Sequence, residues 1–253
     1  MKKKSKKQKK PLRSVGNLMA VCLASALLVT LIVGIVATIH KNLTASEDAL
    51  KEYYDAKCQS FAVQNANLAK GQIVFIGDSI TDLYVLDEGY SDLTLAAYNR
   101  GIGGDTTSGV LRRLQVSVFD IEPAYVVLMI GTNDIIGGVP EDEILANYAE
   151  ILDQIRAALP NTKIFCMSII PMNQQMGDFD VVALTETICR VNERIYRLAW
   201  EKGAVYLDLF ELLADEEKLL RAEYTDDGLH LNQEGLLVWT KLLKPYLLKE
   251  IIH

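Results

Sequence analysis

The chain has 253 residues, of which 50% are hydrophobic, and its formal net charge is −7 at neutral pH. This length and composition are enough for one domain with a full hydrophobic core and a short appendage. The charge is unevenly spread, because residues 1–13 hold eight Lys/Arg and no acid. The remainder of the chain therefore has 18 basic and 33 acidic side chains, a net charge of −15. Phosphate binding needs a basic face, so this acidic body argues against a nucleic-acid partner.

The first predicted element is an apolar helix. Residues 18–39 read LMAVCLASALLVTLIVGIVATI and carry no charge over 22 residues, and about 20 apolar residues span a bilayer as a helix. A cleaved signal peptide is the alternative, since Ala24-Ser25-Ala26 resembles a cleavage site, but a secretory apolar region is usually about 7–15 residues long. We therefore predict an uncleaved transmembrane signal anchor over residues 14–40, through which the protein contacts the membrane.

The basic cluster predicts the orientation of this anchor, because lysines and arginines close to a span stay on the cytoplasmic side. Residues 1–13 are thus predicted to form a basic cytoplasmic tail of a single-pass cell-membrane protein. Residues 41–70 are typical of a polar helical stalk, and residues 71–253 of a folded domain outside the cytoplasm.

Strand-like and helix-like segments alternate from Gln72 onward. The predicted strands are IVFI (73–76), LAAYN (95–99), YVVLMI (125–130), KIFCMSII (163–170) and AVYLDL (204–209). Amphipathic helical periods run between them, around 144–155 and 181–198, and a further period around 236–246 marks a C-terminal helix. Uninterrupted apolar strands alternating with such helices predict a parallel sheet covered on both faces, with functional sites at the carboxyl ends of the strands.

The four cysteines do not have the spacing of a metal site. Cys22 lies in the apolar segment, Cys166 in a strand-like run and Cys189 on a helix-like face. Buried free thiols are the favoured interpretation for these three, and Cys58 stays unassigned.

A candidate general base follows from a count of histidines. His40 is at the predicted membrane boundary and His253 is the last residue, so His230 is the one histidine inside the predicted domain. Asp227 precedes it by three residues, from where a carboxylate can accept a hydrogen bond from Nδ1–H and leave Nε2 free to take a proton. Asp226 competes for that role, and a structural histidine is the simpler alternative.

Ser79 is the candidate nucleophile. It follows the first strand directly, in Gly77-Asp78-Ser79, at a strand-to-helix turn where its backbone N–H points toward the site. A serine hydroxyl needs a base to take its proton, and His230 could supply that base. Asp78 or Ser79 could instead be only the N-cap of the next helix. The GxSxG elbow of α/β-hydrolases does not fit, since Thr81 stands where its second glycine would be.

Two further segments offer donors for a developing oxyanion. Gly104, in NRGIGGDTT after the second strand, offers a backbone N–H, and Asn133, in GTND after the third, offers a side-chain amide. The glycine-rich segment fits neither GxxxxGK[ST] nor GxGxxG, which argues against a nucleotide loop.

Together these segments resemble the conserved blocks of the SGNH/GDSL hydrolase family: GDSI with Ser79, the second block with Gly104, GTND with Asn133, and DGLH with Asp227 and His230. The resemblance covers about residues 72–250. It implies a flavodoxin-like three-layer α/β/α fold with a five-stranded parallel sheet, and ester hydrolysis through an acyl-enzyme without metal or cofactor. It assigns the catalytic roles to Ser79, His230 and Asp227, and the oxyanion hole to Ser79, Gly104 and Asn133. The second block is similar to that of the platelet-activating-factor acetylhydrolase-like branch, which favours short acyl groups such as acetyl.

Other polar residues near these blocks have less specific interpretations. Asp134 is expected to order its loop, Thr106 and Thr107 to cap the following helix, and Asp82 to lie near the site. Arg100, Arg112 and Arg113 could pair with local acids or meet an anionic substrate. For Arg112 and Arg113, solvated surface pairs are the favoured expectation.

Two other functions remain open: an acyltransferase that needs a membrane partner, and an anchored, non-catalytic binding module. The substrate is predicted only as an ester of a small molecule, a lipid or an O-acylated glycan. Loops 84–94 and 171–180 are the expected pocket walls. Met172, Met176 and Phe179 could line an acyl slot there, or equally could only pack the loop.

Overall fold

The computed structural model describes residues 35, 38, 40, 41, 45, 47–177 and 179–251. The chain divides into two compact units, Met1–Glu52 and Tyr53–His253. In the first unit the described residues are helical. The basic tail 1–13 and the predicted span 18–39 lie outside the described residues, apart from Ile35 and Thr38. Within the described part of the chain, no helix is long and apolar enough to cross a membrane.

The second unit is built on a five-stranded parallel sheet. Its strands are β1 (Ile73–Gly77), β2 (Ala97–Gly101), β3 (Tyr125–Met129), β4 (Lys163–Met167) and β5 (Val205–Leu207), in the spatial order β2-β1-β3-β4-β5. This is the strand order of flavodoxin-like folds, and the predicted parallel sheet is confirmed. The second strand lies two residues later than the predicted 95–99, so Arg100 and Gly101 belong to the strand and not to the loop that follows.

Helices flank the sheet. They are α1 (residues 53–65 of this unit), α2 (Ser79–Asp82), α3 (Leu86–Tyr90), α4 (Thr107–Ser117), α5 (Thr132–Ile136), α6 (Glu141–Ala158), α7 (Val181–Glu201), α8 (Phe210–Leu213) and α9 (Gln233–Ile251). Short 3₁₀ turns occupy Phe119–Ile121, Gln174–Met176 and Ala222–Tyr224.

Alternate residues of each strand point to two separate apolar cores. One core packs Val74, Ile76, Val126, Leu128, Ile164 and Cys166 against α4, α6 and α7. The other packs Ile73, Phe75, Val127, Met129 and Phe165 against α2, α3 and α9, with Trp239 fully buried. Because both faces are covered, β1, β3, β4 and β5 are mainly apolar, which is why they were recognisable in the sequence as continuous apolar runs. The edge strand β2, AYNRG, is partly polar.

Helix α1 packs on the edge of the sheet next to β2. Phe61 is buried, and the guanidinium of Arg100 lies over its ring, 4.6 Å from the centroid. Arg100 also donates to the side-chain oxygens of Gln64 and Asn65, each at 3.0 Å. Arg100 therefore holds α1 to the sheet, and no acid is paired with it among the described residues.

The cysteines of this unit are free thiols. Cys166 is buried in β4, and Cys58 and Cys189 are half-buried on α1 and α7. Cys58, which the sequence left unassigned, lies on the same face of α1 as Tyr54 and Phe61. It is therefore a half-buried thiol on the side of α1 that packs against the domain. Cys22 lies outside the described residues.

Candidate active site

Ser79 begins a helix at the carboxyl end of β1, beside the point where the strand order reverses. Gly77 allows this turn, because a Cβ there would lie 2.3 Å from both the carbonyl oxygen of Met129 and the hydroxyl of Thr81. Asp78 caps α2 by accepting a hydrogen bond from the N–H of Ile80 at 3.0 Å. The cap interpretation is thus right for Asp78, and it leaves the partly exposed hydroxyl of Ser79 available for chemistry.

Three side chains form a continuous hydrogen-bonded array at this turn. His230 Nε2 lies 2.9 Å from Ser79 Oγ, and His230 Nδ1 lies 2.6 Å from Asp227 Oδ2. The second oxygen of Asp227 accepts from the backbone N–H of Leu229 and His230, at 2.9 and 2.8 Å. The structure therefore pairs the histidine with Asp227 and leaves Asp226 exposed. This geometry allows a proton to pass from Oγ to Nε2.

The electrostatics of Asp227 favour its charged form. Burial alone raises the pKa of this carboxyl, but hydrogen bonds from the His230 side chain and from the two backbone N–H groups outweigh it and lower the pKa to about 2. An ionised Asp227 can orient the imidazole and stabilise the imidazolium that forms when Nε2 takes a proton.

The loop that carries this pair is held by backbone contacts to residues 171–180. Gly228 has a φ of +87°, and its carbonyl oxygen accepts from the N–H of Asn173 at 2.8 Å. Asn173 also donates its side-chain amide to the carbonyl oxygen of Leu220 at 2.7 Å. Asn173 thus supports the His230 loop. Of the residues that could line an acyl slot or only pack the loop, Met172 is fully buried in the core, while Phe179 is exposed.

The three expected oxyanion donors lie on the turns that follow β1, β2 and β3. Gly104 occupies the third position of a turn closed by a hydrogen bond from Asp105 N to Ile102 O, and its φ of +76° suits glycine. The backbone N–H groups of Ser79 and Gly104 donate to no residue that the structure describes. Asn133 donates one amide hydrogen to the carbonyl oxygen of Asp105 at 2.9 Å, which orients its side chain.

A buried arginine connects these turns. Arg113 donates to a carboxylate oxygen of Asp105 at 2.7 Å and to the carbonyl oxygens of Gly77 and Arg100, at 2.9 and 2.7 Å. The expectation that Arg113 forms a solvated surface pair is wrong, since the side chains of Arg113 and Asp105 are only 1% and 2% exposed. The apolar face of α4 turns inward, and Arg113 lies on that face. Arg112, one position earlier, is exposed as expected.

Asp134 orders the same region. Its carboxylate accepts from the backbone N–H of Thr107 at 3.0 Å and from the Thr107 hydroxyl at 2.6 Å. Of the two threonines expected to cap α4, Thr106 does so by accepting from Gly109 N. Thr107 instead ties α4 to α5, so Asp134 has the ordering role that the sequence predicted.

Asp78 is an unusual neighbour for the serine, because it is fully buried and one carboxyl oxygen has no hydrogen-bond partner among the described residues. Burial raises its pKa to about 7, the negative charge of Asp105 adds to that shift, and the N–H of Ile80 opposes it. The site therefore holds one carboxyl that stays charged and one that titrates near neutrality.

Sequence reasoning missed two residues beside this site, Tyr53 and Lys57 of α1, which both contact Asp82. The available signal was the recurrence of Tyr54, Cys58 and Phe61 at steps of four and three. That recurrence is typical of a helix packed against a domain and not of a free stalk. Within the described part of the chain, no group of three or more His, Cys, Asp or Glu could hold a metal ion.

Comparisons with known proteins show which family this chain is similar to. Residues 75–236 match the model of the GDSL-like Lipase/Acylhydrolase family. Platelet-activating factor acetylhydrolase IB subunit alpha1 of Bos taurus is 29% identical over 182 residues, which cover 70% of this chain and 75% of the relative.

Two solved structures extend the similarity to the fold. A Streptococcus pneumonia protein, named as a candidate platelet activating factor, is 31% identical with a TM-score of 0.74, covering 81% of this chain and 97% of its own. A GDSL-like lipase of Bacteroides thetaiotaomicron is 26% identical with a TM-score of 0.67, covering 76% and 98%. The chain therefore belongs to the GDSL-like lipase/acylhydrolase family and is a serine ester hydrolase.

Proposed function

We propose that Ser79 is the nucleophile of this hydrolase, His230 its general base and Asp227 the group that orients the base. The observation that carries the proposal is the array in which Ser79 Oγ, the His230 imidazole and the Asp227 carboxylate are joined at 2.9 and 2.6 Å. Nucleophile and base within hydrogen-bond reach, with the base held by a third group, are the geometric signature of nucleophilic catalysis.

The reaction then proceeds in two halves. Oγ bonds to the ester carbonyl carbon while Nε2 takes its proton; the tetrahedral intermediate collapses, the ester C–O bond breaks, and Nε2 returns the proton to the leaving alcohol. Water repeats the sequence on the acyl-enzyme, giving up a proton to Nε2 and releasing the acid and free Ser79. The N–H groups of Ser79 and Gly104 and the amide of Asn133 would receive the oxyanion in each half, and each such donor contributes about 3 kcal/mol in comparable sites.

We infer that the substrate carries a short acyl group such as acetyl, on a lipid, a glycan or a small molecule. The relative named Platelet-activating factor acetylhydrolase IB subunit alpha1 supports this inference. The charge-free segment 18–39 and the basic residues before it support an anchored enzyme with its catalytic unit outside the cytoplasm.

The test compares the full-length protein with its Ser79→Ala variant on p-nitrophenyl acetate, butyrate and octanoate. We expect turnover that falls with acyl length, no turnover by the variant, and labelling of Ser79 by a fluorophosphonate. Equal rates for the two proteins would refute the nucleophile assignment. Product that forms only when a sugar alcohol is added would favour acyl transfer over hydrolysis. Protease accessibility of the catalytic unit in intact cells tests the orientation of the anchor.

A further inference from the structure

Helix α1 reaches the active site through one carboxylate. Tyr53 donates its hydroxyl to Asp82 Oδ2 at 2.5 Å, and the Lys57 ammonium lies 2.6 Å from Asp82 Oδ1. Asp82 is the last residue of α2, the short helix that begins with Ser79. Both oxygens of this carboxylate are therefore held from a helix that precedes the sheet in the chain.

The same carboxylate holds the oxyanion turn. Asp82 Oδ2 accepts from the backbone N–H of Gly103 at 3.0 Å, and Gly103 directly precedes Gly104. A Cβ placed on Gly103 would lie 3.5 Å from a carbon of the Tyr53 ring and 4.0 Å from Ser79 Cβ. The Tyr53 ring thus lies against the turn, within van der Waals reach of the position that faces the serine.

We propose that Tyr53 and Lys57 are positioning residues that fix Asp82 so that it locks the Ile102–Asp105 turn and aims the Gly104 N–H at the oxyanion. The inference rests on the proposed role of Ser79. An oxyanion donor acts only where it meets the charge that develops, and a misplacement of about 1 Å can cost on the order of 100-fold in rate. Without Tyr53 and Lys57, the Asp82 carboxylate that accepts from the Gly103 N–H would be free to move, and the turn would be less well fixed.

The charge of Lys57 has a second consequence for the reaction. Asp82 is only 12% exposed and lies close to the turn where the oxyanion forms. An uncompensated carboxylate there would repel the developing negative charge. The Lys57 ammonium offsets that repulsion, so Lys57 and the Gly104 donor favour the same transition state.

The Tyr53 hydroxyl stays a donor over the working pH range. Its hydrogen bond to Asp82 raises the pKa of Tyr53 to about 12, and partial burial and the Asp82 charge add to the shift. We therefore expect the effect of removing this hydroxyl to be the same across neutral and mildly alkaline pH.

These contacts are not what holds α1 to the domain. Phe61 is buried and Asn65 donates to the carbonyl oxygen of Val116 at 2.7 Å, whereas Tyr53 is 42% exposed. Partly exposed polar contacts contribute little to folding. Their removal should therefore change the chemistry more than the melting temperature.

The experiment uses the full-length protein and the variants Tyr53→Phe, Lys57→Met, Asp82→Ala and Asp82→Asn. Tyr54→Phe is the matched control, because the Tyr54 hydroxyl on the same helix donates to the carbonyl oxygen of Gly109 at 2.8 Å and makes no bond to Asp82. We measure kcat and KM on p-nitrophenyl acetate, the affinity for a small boronic acid that forms a tetrahedral adduct with Ser79, and the melting temperature.

We expect Asp82→Ala to lower kcat by about 10-fold or more and to weaken boronate binding in parallel, with KM within about twofold of wild type. Asp82→Asn keeps an oxygen that can accept from Gly103 and should recover part of the loss. Tyr53→Phe and Lys57→Met should fall between wild type and Asp82→Ala, and Tyr54→Phe should keep its kcat within about twofold.

A direct reading of the contact comes from the Gly103 amide. Its proton resonance should lie downfield in the wild type, because it donates to a carboxylate, and should move upfield in Asp82→Ala. Unchanged kcat and an unchanged Gly103 resonance in Asp82→Ala would overturn the inference while leaving the serine mechanism intact. A kcat loss that the Tyr54→Phe control shares would also overturn it. If the wild type itself neither turns over ester nor takes the fluorophosphonate label, the proposed function fails and this inference fails with it.

Discussion

The buried carboxyl of Asp78 makes a specific prediction about stability and pH. Its pKa rises from the ordinary 3.8 to about 7 on folding, chiefly because burial disfavours the charged form. Between those two values the folded state binds more protons at this group than the unfolded state does. The contribution of Asp78 to the free energy of unfolding is therefore unfavourable and grows as the pH rises from about 4 to about 7.

The magnitude follows from the two pKa values. At about 1.36 kcal/mol per pH unit, the difference between 3.8 and about 7 corresponds to about 4 kcal/mol at full ionisation. Most of this difference, about 3 kcal/mol, develops between pH 5 and pH 8.5. Asp78→Asn removes the ionisation but keeps an oxygen that can cap Ile80, so the variant should become more stable relative to wild type as the pH rises.

Urea unfolding of wild type and Asp78→Asn at about pH 5 and pH 8.5 measures this difference. We expect the stability of the variant relative to wild type to increase by about 3 kcal/mol between the two conditions. The exposed Asp87→Asn variant controls for the loss of one negative charge. A difference that stays constant with pH, or one that the control reproduces, would refute the argument that Asp78 is forced to ionise in an apolar site.

Three further predictions concern the turns around Ser79. Asn133→Ala removes one oxyanion donor and should lower kcat by about 100-fold or more with the fold intact; unchanged turnover would contradict its role. Arg113→Met leaves Asp105 buried without its partner and should cost about 3–5 kcal/mol in urea unfolding, and a loss below about 1 kcal/mol would show that water replaces the guanidinium. Gly228→Ala places a Cβ 2.9 Å from the backbone nitrogen of Met176 at a φ of +87°, so the His230 loop should shift. We expect kcat to fall by about 10-fold or more, and the melting temperature, measured alongside, shows whether the fold is also affected.

Much of the fold could be predicted because its apolar pattern is simple. Strands buried on both faces are continuous apolar runs, and helices such as α6 and α7 repeat their apolar residues at steps of three and four. The edge strand β2 was less clear, because its sequence AYNRG contains polar residues. Its polar side chains form hydrogen bonds to neighbouring turns. Asn99, for example, donates to the carbonyl oxygens of Thr81 and Tyr84, at 2.6 and 2.9 Å.

The candidate catalytic residues were also predictable. Ser79, Gly104 and Asn133 stand in short segments just after a strand, and His230 was identified by a count of histidines. The residues that hold those segments in place were not. Arg113 is a charged residue on a helix and has the local sequence of a surface residue. Its burial depends on Gly77, Arg100 and Asp105, which approach it only in three dimensions. Tyr53 and Lys57 precede the sheet altogether, and their target, Asp82, lies 29 and 25 residues further on.

The hydrogen bond between Ser79 and His230 joins residues 151 positions apart. One partner follows the first strand of the sheet, and the other lies on a loop between β5 and α9. Bringing together two residues so far apart in the chain costs conformational entropy, and only the packing of the complete domain offsets that cost. Ester turnover is therefore a reporter of cooperative folding: thermal loss of activity should coincide with loss of secondary structure, and activity lost at a lower temperature would mean that the His230 loop detaches before the sheet unfolds.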